Sequence, residues 1–124
     1  MLDIAFYSDR TGQPCYISVA KDFLLWLAKS DFIEIGSDQI TEIEIDGESA
    51  QLPLVKLGQG KISNRQRFRD FFLETIRQES DRVLTCSGDS PSKEEYQTVT
   101  YRLKKLLEIL RCIEDENYLY LQRI

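Results

Sequence analysis

The chain has 124 residues, of which 42% are hydrophobic and 30% charged, and a formal net charge of −5. A chain of this length fills one hydrophobic core rather than two, and its apolar content is too high for disorder, so one folded domain over residues 1–124 is expected. No histidine is present, which removes His-based triads, imidazole proton shuttles and most catalytic zinc sites.

Residues 2–7 alternate, with Leu2, Ile4 and Phe6 on one side and Ala5 and Tyr7 on the other, which is a strand pattern. A polar turn cluster at 9–14 follows, and residues 15–18 read as the returning strand. Ser18 is placed to cap a helix over about 19–29. Val19, Phe23, Trp26 and Leu27 share one side of that helix, and Leu24 and Leu25 widen the apolar arc. Residues 31–35 read as another strand.

The middle of the chain gives the clearest local signal. Thr41, Ile43 and Ile45 alternate with Glu42, Glu44 and Asp46, and Asp46-Gly47 is a favoured two-residue hairpin turn. That turn sets Ile45 opposite Glu48, Ile43 opposite Ala50 and Thr41 opposite Leu52. The apolar residues of both strands then fall on one face, and Glu42, Glu44, Ser49 and Gln51 on the other. Turn chemistry and alternation agree on a single register. Pro53 cannot donate to a ladder, so the return strand must be an edge or carry a bulge there.

Gly58 and Gly60 end the strand pattern. Ser63 and Gln66 have capping-box spacing, and a helix is expected to run to about Leu84 with Phe68, Phe71, Phe72, Thr75, Ile76 and Val83 as its stripe. A loop around 86–91 separates it from a third helix, which Ser92 and Glu95 would cap. Tyr96, Val99, Leu103, Leu106, Leu110 and Ile113 form a heptad seam there, broadened by Leu107 and Ile109. A broad arc belongs to a core-facing helix rather than a coiled coil. Residues 117–124 read as a final strand. The expected fold is α+β: an antiparallel sheet of about four to six strands, with one short helix and two longer C-terminal helices packed on one face.

The cysteines at 15, 86 and 112 are odd in number and widely spaced, which is neither a disulfide framework nor a zinc ribbon; three free thiols are expected. Cys86, placed in the loop, is the candidate for reactivity. The first residues lack a basic segment followed by a long apolar core, so no secretory leader is expected. The longest apolar run, residues 23–28, is far short of the roughly 20 needed to span a bilayer. The expectation is a soluble, cytoplasmic protein with no membrane partner.

Charge is the least ordinary feature. Residues 31–50 hold seven acids and no base, and residues 51–70 hold five bases against one acid. An acidic hairpin is thus followed at once by a basic helix entrance. The leading functional expectation is a non-enzymatic protein-binding module or regulator, with Glu42, Glu44, Asp46 and Glu48 docking a basic partner patch. A second copy of the chain is an alternative partner, since two apolar helices leave surface for a homodimer. The runner-up is a nucleic-acid-associated regulator holding phosphates through Lys56, Lys61, Arg65, Arg67 and Arg69. A pI near 4.8 makes that partner less expected. The stretch Gly58-Gln59-Gly60-Lys61 is not a phosphate-binding P-loop, because position 55 is Val and Lys61 is followed by Ile62. Neither a catalytic motif nor metal-ligand spacing is recognisable, so no enzyme activity, cofactor or metal is expected.

Overall fold

The alternation at the start of the chain becomes strand β1 (Leu2–Ser8), paired antiparallel with β2 (Cys15–Val19). A computed structural model describes residues 2–8, 13–45, 47–86 and 93–123. Most of the first turn, Asp46, and the connection after residue 86 lie outside the described residues.

Helix α1 (Lys21–Ala28) follows without the expected cap. Ser18 stays in β2, and its hydroxyl donates to Asp3 Oδ1 at 2.8 Å. The N-cap position is Ala20, whose amide donates to the Tyr101 hydroxyl at 2.8 Å, so a tertiary contact replaces the local one. The strand expected over 31–35 is instead a short 3₁₀ turn (Asp31–Ile33), with Ser30 Oγ accepting from the Phe32 amide. The reason is parity: Phe32 and Ile35 are both buried in one core, and three-residue spacing shares a side on a helical turn but not on a strand.

Strands β3 (Gln39–Ile45) and β4 (Glu48–Lys56) form the expected hairpin in the expected register, including Ile45↔Glu48, Ile43↔Ala50 and Thr41↔Leu52. Gly47 sits at φ 82°, the left-handed region where a residue without Cβ is favoured. Pro53 lies in the part of β4 that pairs only with β3; β5 (Tyr118–Gln122) meets β4 at Val55↔Leu121 and Lys56↔Tyr120.

Helix α2 (Asn64–Cys86) starts where Ser63 Oγ accepts from the Gln66 amide at 3.2 Å, one half of the capping box. It continues to Cys86, which is therefore the last helical residue rather than part of a loop. Helix α3 (Lys93–Glu114) buries Val99, Leu106, Ile109, Leu110 and Ile113, in keeping with a broad core-facing arc. Tyr96, counted in the seam, is exposed instead. Ser92, its expected cap, lies outside the described residues.

The five strands make one antiparallel sheet in the order β2-β1-β5-β4-β3. Strand alternation sends neighbouring residues to opposite faces. Ile4, Phe6, Val55, Leu57 and Leu121 face the helices and join Phe23, Leu27, Phe68, Phe72 and Leu106 in the main core. Ala5, Tyr7 and Leu54 face the other way and meet Ile43 in a smaller cluster, with Ile45, Leu52 and Tyr120 at its margin. The apolar row of the β3–β4 hairpin therefore rests on this second cluster and not on the helices. Among the described residues no helix is long and apolar enough to cross a membrane.

Candidate functional site

The hairpin places its acids in two directions. Glu42 and Glu44 stand opposite Gln51 and Ser49 and share one face of the ribbon. Both are exposed. Glu48 is exposed as well, but it stands opposite Ile45 and so projects from the apolar side. Asp46 lies outside the described residues. The four acids grouped in the sequence therefore do not share one face: Glu42 and Glu44 stay together, and Glu48 points the other way. Among the described residues, no ion pair or side-chain hydrogen bond involves Glu42, Glu44 or Glu48. β3 is also the last strand of the sheet, so among the described residues no strand lies along one side of its backbone.

The basic stretch is arranged differently. The Arg65 guanidinium turns inward and donates to the carbonyl oxygens of Ile113 at 2.5 Å, Asp115 at 2.9 Å and Tyr118. These groups lie at the end of α3 and the turn into β5; the Ile113 carbonyl is among the last of the helix, which lack intrahelical partners, while that of Asp115 also accepts from the Tyr118 amide. A guanidinium fork suits such a cluster because it offers several donors in a fixed plane. Burial lowers the Arg65 pKa from its usual value, partly opposed by Glu116 and Asp115 nearby. Arg69 lies 3.7 Å from Glu114, with both side chains half exposed. Lys56, Lys61 and Arg67 are exposed, on β4, ahead of α2 and on its first turns. The five bases thus do not form one surface: Arg65 belongs to the interior of the α3–β5 junction, and Arg69 is paired.

Two charged residues that sequence reasoning passed over are the most buried ones. Glu79 in α2 is only 4% exposed and lies 3.3 Å from Arg82 and 3.7 Å from Arg102. Arg102 in turn covers the Trp26 ring at 4.5 Å, a cation–π contact that links α3 to α1. Glu79 borders a groove of about 540 Å³ that Trp26, Phe71, Thr75 and Arg82 also line. Its position three residues after Ile76 and four before Val83 puts an acid on the apolar stripe of α2, a readable signal for a buried ion pair. Arg123 donates to the carbonyls of Phe32 at 2.7 Å and Ile35 at 2.8 Å and lies 3.4 Å from Asp38. It holds the 3₁₀ turn against the sheet, as Arg65 holds the end of α3. No group of three or more His, Cys, Asp and Glu side chains among the described residues is placed to hold a metal ion.

Comparison of the chain with models of protein families, with curated proteins and with solved structures finds no match.

Proposed function

We propose that this protein is a protein-binding module whose docking element is the edge strand β3, and that its partner is an extended segment carrying basic residues at alternate positions. The observation behind this reading is that β3 ends the sheet and that Glu42 and Glu44 stand exposed on one face of it, with no strand beside that edge and no cation on either carboxylate among the described residues. An extended chain added to such an edge gains main-chain hydrogen bonds, and its side chains repeat every two residues, the spacing of Glu42 and Glu44. Opposite charges across a strand pair favour the register in which they meet. Charged residues on an edge also discourage uncontrolled sheet pairing, so the same feature selects one kind of partner and discourages others. The binding role of Lys56, Lys61, Arg65, Arg67 and Arg69 has less behind it, because Arg65 and Arg69 already have partners within the fold.

The test is a fluorescence anisotropy titration with two labelled peptides of alternating Val–Lys and Val–Glu sequence. The Lys peptide should bind, weaken steeply with salt, and lose affinity at least about tenfold on Glu42→Lys with Glu44→Lys. Equal affinity for both peptides, or equal affinity of the wild type and the reversed protein, would overturn the proposal. A mobility shift with generic DNA and RNA at low salt, strengthened by the same reversal, would move the reading to the nucleic-acid alternative.

A further inference from the structure

Cys15 in β2 and Cys112 in α3 are 97 residues apart in the chain, yet their Sγ atoms lie 3.4 Å from each other. Both thiols are half-buried and unbonded. The backbones that carry them are fixed independently. Cys15 is held in the ladder opposite Phe6. Cys112 sits in the last turn of α3, beside the Ile113 carbonyl that Arg65 grips. Two sulfurs already this close, on anchored elements, have only a short way to move to reach the disulfide separation of about 2 Å.

We infer that Cys15 and Cys112 are an oxidation site, closing to an intramolecular disulfide that ties the outer strand β2 to the last turn of α3. The oxidant proposed is a small-molecule disulfide of the glutathione class. Burial, and then the neighbouring Cys15 thiol, push the Cys112 pKa up to about 12, which disfavours Cys112 as the first attacking sulfur. The Cys15 sulfur attacks the small disulfide; a protein–glutathione bond forms, the small S–S bond breaks, and the proton leaves with the first small thiol. The Cys112 sulfur then attacks the Cys15 sulfur and displaces the second small thiol, which carries off the Cys112 proton. One small disulfide is reduced to two thiols, and two protein thiols are oxidised to one disulfide. In a reducing compartment the bond would form under oxidative load and reopen by the reverse exchange.

The reduced full chain is incubated with oxidised glutathione, alkylated, and digested without reductant for mass spectrometry. The expected product is a Cys15–Cys112 cross-linked peptide, with Cys86 the remaining alkylated thiol. Oxidation should raise Tm by about 5 °C or more, because the closed loop restricts the unfolded chain. Dithiothreitol should reverse that rise, Cys86→Ser should keep it, and Cys15→Ser should lack it. The inference is overturned if glutathione stays on Cys15 with no cross-link, if Cys15 and Cys112 are both recovered alkylated, or if Cys86-linked dimers form in their place. The peptide map is read on the unmodified protein, so it decides the matter even if a variant folds poorly.

Discussion

Residues 31–50 and 51–70 are neighbours in sequence, similar in length and opposite in charge, and the fold uses them in opposite ways. In the acidic stretch Glu42, Glu44 and Glu48 remain in water, while among the described residues only Asp38 meets a cation, at Arg123. In the basic stretch Arg65 is drawn into the α3–β5 junction and Arg69 is paired with Glu114. A net charge read from sequence tells where charge lies along the chain but not whether a ligand can reach it. The difference follows from chemistry. A guanidinium carries an apolar stem and several donors, so it can run into the fold and satisfy carbonyls at a helix end. A carboxylate on a half-buried strand is simply turned to water by the pleat.

That contrast is open to attack by substitution, with unfolding free energy as the common measure. The largest change is expected at Arg65. Arg65→Ala removes the guanidinium from three carbonyls, of which that of Asp115 keeps the Tyr118 amide as a donor, and should cost about 3 kcal/mol in urea unfolding. Arg65→Lys should recover only part of this, since an ammonium cannot reproduce the planar fork. If Arg65→Ala unfolds like the wild type, the basic stretch is as available as the acidic one and the contrast fails. Next is Gly36, at φ 66°, where an added Cβ would come within 2.9 Å of Asn64 and Val55 side-chain atoms. Gly36→Ala should cost about 2 kcal/mol, and less in an Asn64→Ala background, because Asn64 is one of the groups it strikes.

A smaller effect is expected beneath the hairpin. Tyr7 donates to Gln122 Oε1 at 2.7 Å, and burial, with Tyr16 adding to it, raises its pKa to about 12. The raised value makes the neutral phenol the form the fold prefers. Its contribution is therefore complete below pH 10, the ordinary phenol value, and is lost as pH climbs through about 12. Tyr7→Phe should cost about 1 kcal/mol at neutral pH. It should also remove a late-titrating component from the alkaline absorbance titration; a Tyr7→Phe protein with that component intact would contradict the assignment. The smallest change belongs to the acidic face. Glu42→Lys with Glu44→Lys should leave stability within about 0.5 kcal/mol while weakening the Lys peptide. A large loss of stability there would mean that these carboxylates have structural partners after all.

The parts of this fold legible in the sequence are those set by neighbours along the chain. The β3–β4 register was readable because Asp46-Gly47 and the Thr41-Ile43-Ile45 alternation are separate signals that demand the same pairing. The stripe of α2 was readable through Phe68 and Phe72, both fully buried. What sequence reasoning missed is set by distant residues. Ser18 looked like a cap because nothing local shows that Tyr101, in α3, supplies the acceptor for Ala20. The side of the sheet on which the hairpin rests depends on Ala5, Tyr7 and Tyr120, which belong to other strands. The meeting of Cys15 with Cys112 leaves no trace in either segment. The acidic site was half legible: alternation placed Glu42 and Glu44 together, and the same alternation, followed through to Ile45↔Glu48, sends Glu48 to the opposite side.

The position of β5 has a consequence for the order of assembly. It lies between β1 and β4 and is their shared partner, yet both long helices precede it in the chain. Until a ribosome has produced those helices, the two earlier hairpins have no strand to join them, and each exposes an inner rim of unpaired amides. An isolated two-stranded ribbon is marginal in water, so the nascent chain would depend on a late, long-range closure that forms the sheet and seals the main core together. Such topologies fold slowly, and shielding by a chaperone during synthesis would matter more here than for a fold whose strands pair as they emerge.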